Sequence, residues 1–259
     1  MGVPEVTRSA VAAPDAARRT ELGACLRAYR ELTSPGAAGL PERGRRRTPG
    51  LRREEVATLA GVGLSWYTWL EQGRVTASPE VIDAVGRVLG VDEEGRRHLR
   101  ALAGPAVAAP DPDRVRADLA PLLAGWREGP AAVLDHRLDL VAVNDVWTRA
   151  WGGAAGENAL EVLAVRARGA GPLGRADDLV RALARRFRMA ANTHADDPRI
   201  AEVRARLRTA VPDLAPLWDC RGVGAFTPPD VTWQGTPSRA YLLHPTGEPG
   251  AAVLAVVPV

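Results

Sequence analysis

Six arginines fall within the eleven residues from Arg43 to Arg53, R-G-R-R-R-T-P-G-L-R-R, with no acid among them. Guanidinium groups at that density neutralise phosphates, and their planar forks suit phosphate or guanine. Straight after comes E-E-V-A-T-L-A-G-V-G-L-S-W-Y-T-W-L-E-Q-G-R, the pattern of two short helices joined at Ala60-Gly61. The second helix, from about Leu64 to Gln72, buries Tyr67 and Leu70, which align with Val62. Leu64, Ser65, Thr68 and Trp69 then face the other way. Hydroxyls can donate to or accept from base edges, and Leu or Trp can meet a thymine methyl. Arg53 opens the first helix, placed for a phosphate or a guanine. Arg74 lies just past the second, within reach of backbone phosphate, and Arg45, Arg46, Arg47 and Arg52 add charge for the strands. Such a loop and helix pair suit a DNA duplex: one helix spans the backbone while the next lays its N-terminal residues in the major groove. Trp66 suits core packing or DNA contact equally. RNA fits less well, since no stacking sheet or clamp motif is visible.

Composition bounds this reading. At 259 residues the chain can form one large domain or two ordinary ones, and 46% hydrophobic with 25% charged residues is a globular balance. Net charge is only +3, but its distribution is uneven: residues 1–104 hold 16 Arg against 13 acids, residues 105–259 hold 18 against 18. All 34 basic residues are Arg, matching an Ala-, Gly-, Pro- and Val-rich composition, so the arginine total carries less weight than its clustering. Cys25 and Cys220 give no disulfide framework and no metal spacing, and Cys220 shows no nearby base or resolving thiol. His98, His136, His194 and His244 are scattered. No metal or cofactor is expected. No apolar run approaches a membrane span and no signal-peptide core opens the chain, so a cytoplasmic protein without membrane contact is expected.

The elements that must hold the arginines and the probe helix are short. Residues 1–19, rich in Ala and Pro, are expected to be disordered. Glu21–Leu32 reads as a helix with Leu22, Cys25, Leu26 and Tyr29 on one face, ended by Ser34-Pro35-Gly36. In the helix Arg52–Leu59, Val56, Leu59 and Ala60 are expected to face inward. Gly61 supplies the turn, and Gly73 ends the probe helix. Ser78-Pro79 opens a fourth helix and Asp92 caps a fifth, ending near Ala103. The spacing thus predicts an all-α five-helix helix-turn-helix domain over 20–104, then a Pro/Ala-rich linker over 105–113.

Over residues 20–104, R-R-R-T-P-G-L-R-R-E-E-V-A-T-L-A-G-V, W-Y-T-W-L-E-Q-G-R and S-P-E-V-I-D-A-V-G-R-V-L-G-V-D resemble the XRE-type helix-turn-helix of a subgroup of bacterial transcription regulators. The resemblance implies DNA contacts at Arg53, Leu64, Ser65 and Trp69, and it matches the family's Glu-x-Gly pattern at Glu71-Gln72-Gly73. Gly63 stands where the family has a capping Ser, a loss of a few tenths of a kcal/mol.

Residues 114–259 read as α+β: helix 115–126, strands on either side of Asp135–Arg137 with both faces covered, a helix starting at Asn144, helices 176–191 and 198–210, then strands in T-W-Q, A-Y-L-L-H and A-A-V-L-A-V-V. D-H-R-L-D-L-V-A-V-N-D-V-W-T-R-A-W-G, H-A-D-D-P-R-I-A-E-V and P-D-L-A-P-L-W resemble the PAS-like ligand-binding domain of MmyB-like regulators. The chain departs from it where Trp218 is followed by Asp219-Cys220-Arg221 rather than a His step, and where His244-Pro245 comes late. The resemblance implies a sensor of a small, apolar, fatty-acyl-type effector. Candidate pocket residues are Trp147, Trp151, Phe187, Met189, Phe226 and Trp233, though each is better suited to an ordinary core; Trp126 and Trp218 are weaker candidates. No nucleophile elbow, phosphate loop or metal cluster points to an enzyme. The expected partners are a double-stranded DNA operator, a small apolar effector and a second copy of the chain. The rival keeps the DNA-binding head but makes the second domain a protein-interaction or dimerisation module.

Overall fold

The computed structural model describes residues 12–41, 50–105, 111–166, 173–174, 176–194, 196–214, 226–245 and 250–259. The chain divides into two compact units, with the main boundary between residues 106 and 107. Among the described residues the first unit contains α1 (Ala12–Leu32), α2 (Arg53–Ala60), α3 (Leu64–Glu71), α4 (Pro79–Val88) and α5 (Glu93–Ala103). Leu22, Cys25 and Leu26 of α1 meet Val56, Tyr67, Leu70, Ile82 and Leu99 in one core. Gly61 turns the chain from α2 to α3 at φ 70°, where its N–H still reaches the carbonyls of Ala57 and Thr58. The Asp92 carboxylate accepts from the Gly95 N–H at 2.7 Å and starts α5.

Two expectations for this unit are corrected. Residues 12–19 are helical, not disordered; residues 1–11 lie outside the described residues. The Ala-rich segment favours helix, and the buried Arg18 guanidinium donates to the carbonyls of Ala101 (2.8 Å) and Gly104 at the end of α5. A cation there satisfies carbonyls that the helix leaves open. Leu59 does not face inward but is exposed. The buried arc of α2 runs through Val56, Ala60 and Ala57, and at about 100° per residue Leu59 lies about 110° from its middle.

In the second unit, α6 (Pro112–Gly125) precedes β1 (Ala131–Leu134) and β2 (Leu140–Val143). There follow α7 (Asp145–Trp151), α8 (Ala159–Arg166), the two-residue β3 (Leu173–Gly174), α9 (Ala176–Thr193) and α10 (Pro198–Ala210). β4 (Asp230–Trp233), β5 (Thr236–Leu243) and β6 (Ala252–Pro258) close the chain. The strands form an antiparallel sheet in the order β2-β1-β6-β5-β4-β3, so the first and last long strands pair near one side. α8 and β3 had no expectation; the others match the sequence pattern closely. Both faces are covered at β1 and β6, as the weak alternation in β1 and β2 suggests, whereas β5 alternates and buries one face only. Ala132, Leu134, Leu254 and Val256 pack with Leu183 and Phe187 of α9 on one face. Ala131, Val133, Val253 and Ala255 pack with Val115 and Leu123 of α6 on the other.

The turn from β1 to β2 is held by charge. Asp135 Oδ1 accepts from the N–H groups of Arg137 (2.8 Å) and Asp139 (2.9 Å), and Leu138 sits at φ 64°. Arg137 Nε reaches Asp197 Oδ2 at 2.6 Å, and Arg199 Nε reaches Asp139 Oδ2 at 2.9 Å, so the start of α10 is fastened to this turn. Burial pushes the Asp135 carboxyl up to about 6, and the neighbouring Asp139 carboxylate adds to the shift against the pull of the two N–H groups.

Two outcomes follow from these contacts. A methyl group on Gly23 would lie 2.7 Å from the Glu71 carbonyl carbon and 2.9 Å from the Leu70 oxygen. Ala gains about 1 kcal/mol of helix propensity, but α1 must then back away from α3, so Gly23→Ala should cost a net of about 1–2 kcal/mol in denaturant unfolding. Folded Asp135 holds its proton more tightly than the unfolded chain does. Its contribution is therefore full below the ordinary carboxylate range and lost as pH rises to about 6. Thermal melts of wild type and Asp135→Asn should diverge in that sense, wild type losing ground to the variant as pH climbs; a constant difference across the window refutes the assignment.

Candidate functional site

On α3 the sequence separates a core face from a probe face. Tyr67 and Leu70 are fully buried, whereas Leu64 is 48% exposed, Trp69 47% exposed, and Ser65 lies open beside them. Thr68 is half-buried, and its hydroxyl donates to the Leu64 carbonyl at 2.8 Å, leaving the oxygen as an acceptor only. Trp66 is half-buried and packs against the helical core. The helix starts at Gly63 in an extended conformation (φ −71°, ψ 140°) without a side-chain cap, so the missing Ser leaves the backbone path intact.

The arginines differ from one another. Arg52 is exposed, its Nη1 3.4 Å from Glu54. Arg74 is exposed just beyond α3. Arg45, Arg46 and Arg47 lie outside the described residues. Arg53 is held: its Nε donates to Glu71 Oε2 at 2.6 Å while its side chain stays 40% exposed. Glu71 is 1% exposed at the end of α3, and its other oxygen accepts from Arg30 Nε at 2.5 Å. Arg30 Nη1 also donates to the Leu51 carbonyl at 3.0 Å, two residues before α2. Burial opposes the charge on Arg30, but the Glu71 carboxylate outweighs it and holds the guanidinium above its ordinary value. Burial, with the same carboxylate close by, pushes the Tyr67 phenol far above its usual range.

Sequence reasoning missed Arg30 and Glu71 as a pair. The signal was present in two halves: Arg30 follows Leu26 by four residues on an apolar stripe, and Glu71 follows Tyr67 by four. A cation and an acid on two core-facing stripes have each other as natural partners.

In the second unit, Trp147 meets Trp151 edge-to-face with centroids 4.7 Å apart, and Trp151 meets Trp233 at 5.8 Å. Phe187 belongs to the same core and Phe226 packs against it. Met189 is buried but lies outside that cluster. Two described pockets lie elsewhere. One, of about 420 Å³, is lined by Glu157, Asn158, Glu161, Arg199 and Arg206 among others; the second, of about 410 Å³, runs along Leu123, Trp126, Val143, Val146 and Arg149. Neither is lined by any of the six candidate residues. Trp218 and Cys220 lie outside the described residues. Among the described residues no group of acids, histidines and cysteines could hold a metal, and no helix is long and apolar enough to cross a membrane.

A family model described as a helix-turn-helix domain matches residues 21–99, and that of the MmyB-like transcription regulator ligand binding domain matches residues 115–236. No curated protein matches the chain.

The two faces of α3 should separate in stability measurements. Trp69→Ala should leave unfolding free energy within about 0.5 kcal/mol of wild type. Leu70→Ala, one residue on, should cost about 2–5 kcal/mol. Equal losses in chemical denaturation would mean that Trp69 is not exposed.

Proposed function

Starting from a transcription regulator that joins a helix-turn-helix domain to an MmyB-like ligand-binding domain, we propose that this chain reads a specific DNA sequence through α3 and adjusts that reading to a small apolar effector. The carrying observation is the two-sided α3: a row of Leu64, Ser65 and Trp69 open to the outside above fully buried Tyr67 and Leu70. In this reading Leu64, Ser65, Thr68 and Trp69 meet base edges in the major groove. Arg45, Arg46, Arg47, Arg52, Arg53 and Arg74 grip the strands. Working boundaries are a head over 20–104, a linker over 105–113 and a PAS-like sensor over 114–259. The sensor assignment is supported by four helices inserted between the two halves of one antiparallel sheet. Two copies of the chain would set two recognition helices on half-sites about 34 Å apart, one helical turn. The effector would change that spacing by binding one arrangement better than another. Regulatory families supply no reason to expect turnover, and work on DNA fits the cytoplasm.

A second reading, in which the second domain is an interaction or dimerisation module without effector, is favoured by one observation. The Trp147, Trp151 and Trp233 cluster is close-packed, and the described pockets draw on other residues. Native mass spectrometry of the purified chain separates the two: a retained small molecule supports the first, and none after exposure to lipid and metabolite panels supports the second.

Mobility-shift titration on the gene's own upstream region tests the head. Arg53→Ala and Ser65→Ala should each weaken binding by on the order of 1–3 kcal/mol, and loss of one phosphate-contacting arginine should flatten the log–log salt dependence by about one unit. Unchanged affinity in both variants would mean that α3 does not enter the groove as described.

A further inference from the structure

We propose that Glu71 is a positioning residue for DNA recognition, holding Arg53 by its Nε so that the two terminal nitrogens are set outward as a ready fork. This rests on the DNA-binding reading above but goes beyond it, since Glu71 is buried and touches no DNA itself. Three observations carry it. Glu71 is 1% exposed and anchored from behind by Arg30, so its position is fixed by the core rather than by solvent. Arg53 Nε meets it at 2.6 Å, and among the described residues the Arg53 guanidinium makes no other hydrogen bond. Arg53 is also the first residue of α2, where the open N–H groups of the helix repel a cation. Without a carboxylate the guanidinium would swing away from that end and sample many rotamers. With one, it stays half-exposed in a single orientation, and a contact to phosphate or guanine loses less freedom when it forms.

The direction of the effect separates positioning from plain electrostatics. Glu71→Gln removes an acid from the DNA-binding unit, so on charge alone affinity should rise. Positioning requires it to fall, by about fivefold to tenfold. Fluorescence anisotropy with the full chain and a labelled duplex from the gene's upstream region would compare wild type, E71Q, R53A, R53K and the double variant E71Q/R53A, with thermal melts run beside it. The expected result is that E71Q weakens binding in the wild-type background and does nothing further in R53A. R53K should fall as far as R53A, because an ammonium paired with Glu71 has no second edge to offer. E71Q binding as tightly as wild type, or losses that simply add in the double variant, overturns the proposal while leaving DNA binding standing. Wild type that retains no duplex at low salt overturns both. Should E71Q fail to melt cooperatively, the R53K comparison decides: binding equal to wild type refutes positioning, and binding equal to R53A supports it.

Discussion

The first unit depends on one buried carboxylate. Glu71 closes α3 inside the fold, and leaving it unpaired there would cost several kcal/mol, enough to exhaust the margin of a small domain. Arg30 from the last turn of α1 and Arg53 from the first residue of α2 both come to it, and Arg30 also takes the Leu51 carbonyl. Three helices and the entry to α2 are thereby located relative to one acid. Apolar packing around Tyr67 and Leu70 supplies most of the stabilisation, but it is not directional. The charged trio adds direction, because a guanidinium paired to a fixed oxygen fixes which side of α2 and α3 remains outside.

The second unit solves a different problem by similar means. Strands covered on both faces, as β1 and β6 are, lack the clean alternation that would set register, so the turn between β1 and β2 needs its own fastening. Asp135 folds the turn over its own carboxylate, and Asp139 and Arg137 tie it to Arg199 and Asp197 at the start of α10. Asn158 joins the same network by donating to Asp139 and to the Arg137 carbonyl. Behind it the Trp147–Trp151–Trp233 series fills the space between helices and sheet with large rings at edge-to-face distances.

Much of this architecture was legible from residue order. The 3.6-residue spacing of Leu22, Cys25 and Leu26, the separation of Tyr67 and Leu70 from Ser65 and Trp69, and the turn at Gly61 are set by neighbours within a few positions. Composition misled where local character and distant partners disagreed. The Ala- and Pro-rich opening reads as unstructured, yet residues 12–19 are helical and Arg18 finds open carbonyls at the end of α5. Leu59 looked like core by residue type, but the arc of α2 left it outside. α8 passed unnoticed because its apolar residues, Ala159, Leu160, Val162, Leu163 and Ala164, form nearly a continuous run rather than a stripe.

Sequence alone determined that two short helices follow a cationic loop, which side of the second helix is apolar, and that an α+β segment comes after a Pro-rich break. Tertiary structure alone decided that Arg30 and Glu71, 41 positions apart, share one buried ion pair, that Arg53 is tethered rather than free, and that aromatic rings distant in sequence pack in one core. The reason is the range of the forces that leave a trace in residue order. Helical periodicity repeats within a turn and can be read locally. A charge's partner, or the set of side chains around a ring, is fixed only when distant segments close around it.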